Sequence, residues 1–140
     1  IDVPTHAFLP TDYVPKEALR LEAYRRLATV ETMQQVDDIR AEWLDRYGPI
    51  PDPAEMLLQV GRVRAECHRL GATEVVVTRS DARMSPITMK VSDTMRLSRL
   101  AKDAIYKDTL QQLIVPVPRT REPVDFLLEF LSRLFPTAEN

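Results

Sequence analysis

The sequence predicts an α+β fold, and three observations carry that reading. Apolar residues recur at helical spacing over residues 16–71, the period shortens to two after Gly71, and a last helical stretch follows Pro123. Three N-terminal helices are expected to pack with a small sheet of short, mostly antiparallel strands, and a closing C-terminal helix completes a single domain over 1–140. Its parts are an extended lead-in (1–15), a helical part (16–71), strands with one helix (72–119) and the closing helix (120–136). Strand and helix never alternate for long enough to build a doubly wound sheet.

In the lead-in, Ile1 and Val3 flank Asp2 as in a short edge strand. Pro4, Pro10 and Pro15 forbid a helix, and Phe8, Leu9, Tyr13 and Val14 are too apolar for a free linker. Pro15 is placed as the first residue of a helix reaching Thr29. Leu19, Ala23, Leu27 and Val30 face inward there, Leu21, Tyr24 and Ala28 widen the stripe, and Arg20, Arg25 and Arg26 lie outside. The second helix is the best marked. Thr32 and Gln35 have the spacing of a capping box, Val36, Ile39, Trp43 and Tyr47 repeat at helical spacing, and Gly48 with Pro49 and Pro51 ends it. Asp52, Pro53 and Glu55 read as N-cap, first helical residue and third-position partner of a third helix. That helix carries Met56, Val60, Val63, Cys67 and Leu70 up to Gly71.

Val75, Val76 and Val77 after Thr73 are a strand signal, with Ser80-Asp81-Ala82-Arg83 as the turn. Met84 to Val91 is the expected returning strand, with Ile87, Met89 and Val91 on one face and Pro86 near an edge. Ser92 or Asp93 caps a short helix carrying Met95, Leu97, Leu100 and Ala101. Ala104 to Tyr106 and Leu113 to Val117 pair as a second hairpin around Lys107-Asp108-Thr109, the alternative being a helical Leu110-Gln111-Gln112. Pro123 opens the last helix, in which Val124, Leu127, Leu128, Leu131, Leu134 and Phe135 face inward and Phe126 and Phe130 broaden the apolar side. Pro136 stops it, and residues 137–140 are expected to fray.

Nineteen basic and twenty-one acidic residues leave a formal charge of −2, so no long-range positive field favours direct binding of nucleic acid. The apolar share is 44% and the charged share 29%, as in an ordinary soluble chain. No apolar run reaches the ~20 residues of a membrane span. Cys67 is the single cysteine and sits inward on its helix, which leaves no disulfide and no thiolate metal site. Gly48, Gly61 and Gly71 are too scattered to cradle a phosphate, so no cofactor is expected. His6 and His68 lack any HExxH or CxxC frame, so no metal is expected either. There is no G-x-S-x-G serine. Carboxylate pairs such as Asp37 with Asp38, or Glu42 with Asp45, lie on a helix surface instead of in a cleft. The chain reads as a binding or regulatory part without catalytic residues. It opens at Ile1 with no signal-like segment and reads as a piece of a longer cytoplasmic protein.

The polar side of the second helix holds the candidate site. Asp38, Glu42 and Asp45 fall on one stripe, roughly opposite Val36, Ile39 and Trp43. Glu42 and Asp45 also lie near the helix C-terminus, where the macrodipole makes a carboxylate unfavourable by ~0.3–1 kcal/mol. Pattern alone fits either a solvated face beside Arg40 and Arg46 or an unpaired surface kept for a partner.

Three segments carry a resemblance: Leu9-Pro10-Thr11-Asp12-Tyr13-Val14-Pro15, Arg20-Leu21-Glu22-Ala23-Tyr24-Arg25-Arg26-Leu27 and Leu44-Asp45-Arg46-Tyr47-Gly48-Pro49-Ile50-Pro51. They resemble the C-terminal domain of the bacterial transcription-repair coupling factors, the Mfd family. Order and spacing agree through Gly71, and from Thr73 onward the arrangement of elements carries the likeness. Lys16 stands where an acidic residue is common after the proline. The resemblance implies a non-catalytic regulatory domain of an ATP-dependent DNA translocase in transcription-coupled nucleotide excision repair. It also implies an intramolecular partner, the N-terminal UvrB-like module, whose UvrA-binding surface the domain masks while restraining the motor. Carried over by position, Glu42 and Asp45, with Asp38 on the same stripe, are the expected partner-binding residues, facing arginines of that module. A monomer in the bacterial cytoplasm is expected, touching neither nucleic acid nor a membrane. The alternative is a protein-interaction module that binds a repair or transcription partner in trans; a small hydrolase is the remaining class.

Overall fold

Three helices come first in the computed structural model, which describes residues 1–137: α1 over Glu17–Ala28, α2 over Met33–Tyr47 and α3 over Asp52–Leu70. Strands β1 (Glu74–Val77) and β2 (Asp81–Ser85) follow, then α4 (Val91–Leu100), β3 (Ile105–Lys107), a 3-10 turn over Asp108–Leu110, β4 (Gln112–Pro116) and α5 (Pro123–Leu134). The fold is α+β. The chain divides into one unit over Thr5–Glu66 and a second that joins Ile1–Pro4 to the residues from Cys67 onward.

In the unit over Thr5–Glu66, α2 forms as its sequence predicts. Thr32 Oγ1 accepts the Gln35 N–H at 3.1 Å, and the Gln35 side chain accepts the Thr32 N–H at 3.2 Å. Val36, Ile39 and Trp43 are buried, and Gly48 ends the helix at φ +87°, a conformation that favours glycine. Helix α1 begins two residues later than expected. Lys16, not Pro15, supplies the first capping carbonyl, accepting from Leu19 and Arg20 at 3.1 Å, and its side chain caps nothing. The stripe α1 buries is also narrower than its sequence suggests. Leu27 is buried while Leu21, Tyr24 and Ala28 stay exposed; Tyr24 is engaged through its hydroxyl, which accepts the Leu9 N–H at 2.8 Å. Helix α3 begins at Asp52 itself: the Pro51 carbonyl accepts from Ala54 and Glu55 at 3.0 Å, and the Glu55 carboxylate turns to Arg40. At Gly61 the α3 backbone is approached closely. A Cβ there would stand 3.0 Å from Leu27 Cδ2 and 3.6 Å from Val36 Cγ2.

The second unit holds a four-stranded antiparallel sheet of order β1-β2-β4-β3. Val75, Val77, Ala82, Met84, Leu113 and Val115 bury one face, and α5 packs against β2 with Val124, Leu127, Leu131 and Leu134 fully buried. The expected edge strand at the N-terminus is a single parallel bridge. Asp2 N–H donates to Val75 O at 2.9 Å, and Asp2 O accepts from Val77 at 2.7 Å.

The returning strand is Asp81–Ser85, not Met84–Val91. Pro86 has no N–H for the ladder, so the strand stops before it. The turn accordingly precedes Asp81. Thr78 Oγ1 accepts the Ser80 and Asp81 N–H groups at 3.2 and 3.0 Å, a hydroxyl-built turn in place of Ser80-Asp81-Ala82-Arg83. Val91 begins α4 instead of ending a strand, so Ile87 is buried while Val91 is exposed. Lys90 is the N-cap residue of α4 rather than Ser92 or Asp93, and Asp93 accepts the Lys90 N–H at 2.9 Å. Of the apolar residues that α4 carries, Leu97 is buried, while Met95 and Leu100 are exposed. The second hairpin forms as predicted, pairing Ile105 with Ile114, and Gln111 at φ +50° closes its turn instead of a helix. Of the tail expected to fray, 138–140 lie outside the described residues. Substituting Gly61→Leu is expected to destabilise the protein by about 1–3 kcal/mol through overpacking against Leu27, measured as a lower urea midpoint with unchanged slope.

Candidate interaction site on helix α2

Three segments of the sequence converge to fix the C-terminal end of α2. Tyr13 Oη donates to the Gly48 carbonyl at 2.8 Å, with Trp43 O 3.3 Å away, so carbonyls left open at the helix end are partly satisfied. Its ring meets Tyr47 edge-on with centroids 5.6 Å apart, and the Arg46 guanidinium lies 5.4 Å over the Tyr47 ring. Burial raises the Tyr13 pKa, with Glu55 and Tyr47 adding to the effect, so the hydroxyl keeps its proton. Arg20 Nη1 donates to Val14 O at 2.7 Å and Pro15 O at 2.9 Å, pinning the lead-in to α1.

On this support the three acidic residues of the stripe differ from one another. Glu42 is half-buried and already engaged: Arg26 Nη1 donates to both its oxygens at 3.0 and 2.9 Å, and Arg46 Nη1 to Oε2 at 3.4 Å. Asp38 is exposed and accepts from Gln34 Nε2 at 2.8 Å. Asp45 is exposed and makes no ion pair or hydrogen bond among the described residues. The reading of the stripe as unpaired therefore holds at Asp45 and fails at Glu42. Arg40, which the sequence places beside the stripe, pairs instead with Glu55 through Nε–Oε1 at 3.1 Å and Nη2–Oε2 at 2.7 Å. Arg26 reaches Glu42 from another helix, sixteen residues away, a contact that no local spacing signals.

Beside the stripe, Arg26, Thr29, Val30, Gln35, Asp38 and Ile39 line a shallow cleft of about 190 Å³. Leu44, next to Asp45, is 41% exposed. This surface offers carboxylates and a little apolar area, which suits recognition of a cationic partner. Among the described residues no group of three or more His, Cys, Asp or Glu is placed to hold a metal, and no helix is long and apolar enough to cross a membrane.

The sequence model of the TRCF domain matches residues 3–112. The chain belongs to the TRCF domain family. It is similar to the transcription-repair-coupling factors of Mycobacterium bovis and Mycobacterium tuberculosis, each 41% identical over 120 residues, which is 85% of this chain and 10% of theirs. The Escherichia coli transcription-repair-coupling factor is 35% identical over 71 residues, 51% of this chain and 6% of its own length. This chain thus spans about a tenth of the length of the first of these curated relatives. A crystal structure of the C-terminal domain of transcription-repair coupling factor matches with a TM-score of 0.78 at 18% identity, over 95% of this chain and 89% of that one. That likeness shows the fold.

The Arg40 hydrogen bond is the main cause of the lowered Glu55 pKa. Because the folded value is depressed, the stabilisation is fully present above the ordinary glutamate value of about 4.3 and is lost as pH falls through the folded one. Solvent screening holds such a half-exposed pair below about 1 kcal/mol. Glu129, lowered by Arg121, acts in the same direction, so the diagnostic quantity is a difference. Between pH 5 and 3, as order-of-magnitude bounds around about 4.3, urea midpoints of the wild type should fall more steeply than those of Glu55→Gln.

Proposed function

We propose that this TRCF domain is a non-catalytic regulatory domain of an ATP-dependent DNA translocase in transcription-coupled DNA repair, and that it works as an autoinhibitory clamp. It sits on the N-terminal UvrB-like module of its own polypeptide, masks the UvrA-binding surface there and restrains the motor. It acts as part of a monomer in the bacterial cytoplasm. The observation that carries this reading is Asp45, exposed and without a partner among the described residues, at the end of α2 where the macrodipole disfavours a carboxylate. Such a group lowers helix stability and is available to an outside cation.

Glu42 and Asp38 complete the contact differently. The longer of the two Glu42 pairs, to Arg46 at 3.4 Å, can give way to an arginine of the module while Arg26 holds the carboxylate in place. Asp38 extends the same stripe. The contact need only be weak, because tethering supplies an effective concentration of order millimolar. A weak latch yields to a competing partner, and the coupling is reciprocal: what lifts the domain binds better in its absence.

In the full-length parent protein, Glu42→Ala with Asp45→Ala is expected to tighten UvrA binding by about fivefold or more and to raise basal ATPase. Arg62→Ala, which removes the internal pair with Asp37 and leaves the stripe intact, should keep UvrA affinity near wild type. Unchanged UvrA affinity and ATPase in the double variant, with unaltered circular dichroism, would exclude the clamp.

A further inference from the structure

Helix α4 directs its least expected residues outward. Val91 is 77% exposed and Met95 58%, and with Arg99 they follow at i, i+4 and i+8, on the side opposite buried Leu97. The helix is held the other way round by its polar residues. Arg96 Nη1 donates to Leu134 O at 2.7 Å and to Asp93 Oδ1 at 3.2 Å, and Asp93 accepts the Lys90 N–H. The single acid of α4 is thereby spent. The side chains of Lys90, Arg99 and Lys102, at the start, the outer face and just past the end of the helix, make no ion pair or hydrogen bond among the described residues; Asp103 is the nearest acid in sequence. At the start of the helix there is a cleft of about 500 Å³ whose lining includes Lys90, Ser92, Asp93, Arg96 and Phe135.

We infer that this face of α4 is a second interaction surface, which binds an acidic amphipathic helix of another protein. Charge complementarity selects the occupant. Cations at both ends and on the rim call for carboxylates, and the apolar centre calls for leucine-like side chains packed on Val91 and on the adaptable thioether of Met95. A nucleic-acid backbone would desolvate Val91 and Met95 without return, and the outer face has no aromatic ring on which a base could stack. A bilayer would gain only two outward apolar side chains from a helix ten residues long. The surface lies in the unit from Cys67 onward and does not draw on the α2 stripe.

The test uses the full 140-residue chain and two fluorescein-labelled peptides of about 20 residues, a length that supports a helix. Both carry leucines at i and i+4; one has glutamates around them and the other lysines. By fluorescence anisotropy the glutamate peptide is expected to bind about tenfold or more tighter than the lysine peptide, with a Kd below about 1 mM. Amide chemical shifts should move over residues 90–102. The variant Met95→Glu with Arg99→Glu should weaken binding by about tenfold, and Lys102→Glu, outside the helix, should give a smaller loss. Leu21→Ser, exposed on α1, should change nothing. Equal affinity for the two peptides, a Kd above about 1 mM, shifts confined to other elements or wild-type affinity in both variants would each overturn the inference. So would tighter binding to duplex DNA or to phosphatidylserine vesicles that is lost in the same variants.

Discussion

Tyr13 Oη, 2.8 Å from the Gly48 carbonyl, closes a helix end that its own sequence leaves open. The backbone at Gly48 turns away at φ +87°, so the last carbonyls of α2 need partners from elsewhere. The lead-in provides one, and in doing so places its own apolar residues: Leu9 and Val14 join the core with Trp43 and Leu58. Arg20 then clasps the carbonyls of Val14 and Pro15. The segments through which the chain resembles its relatives are the ones that meet here. Their residues hold the surface in place and, through Leu44 and Asp45, also form part of it.

Charge pairing in the same unit matters less for stability than for selection. Arg26–Glu42, Arg40–Glu55 and Arg62–Asp37 are half-exposed pairs, each of small energetic weight. Together they occupy three arginines and three carboxylates and so decide which acids on α2 remain available. Asp45 is left over because Arg46, its sequence neighbour, lies over the Tyr47 ring and toward Glu42. The carboxylates of the face left without a cationic partner among the described residues are thus Asp38, bonded to the Gln34 amide, and Asp45, near Leu44.

Elements with local punctuation were legible in the sequence. The Thr32–Gln35 box, the Gly48 and Gly71 stops and Pro123 at the start of α5 all act within a few residues, and α2 and α5 match their expected spans closely. Where the sequence misled, the deciding force was not local. Met84 to Val91 has strand-like composition, yet Pro86 cuts the ladder and Val91 enters a helix. The turn before β2 rests on a threonine hydroxyl, a weaker signal than the glycine or asparagine usual in turns. The apolar residues carried by α4 mark it as a helix, but helical spacing does not say which side of a short helix meets a neighbour, and Met95 turns outward. At the candidate site, Asp38, Glu42 and Asp45 share a stripe as read, but the reach of Arg26 from α1 follows only from the packing of two helices.

The bridge at Asp2 has a bearing on solubility. Strand β1 is Glu-Val-Val-Val, a segment well suited to pairing with a copy of itself. Its outer edge is engaged by Asp2 through two backbone hydrogen bonds, and the opposite edge, β3, is three residues long and ends on Lys107. Short or occupied edges with a terminal lysine are how antiparallel sheets resist fibrillation. Losing the first four residues would remove both of these hydrogen bonds and open the valine-rich rim of β1 to intermolecular stacking.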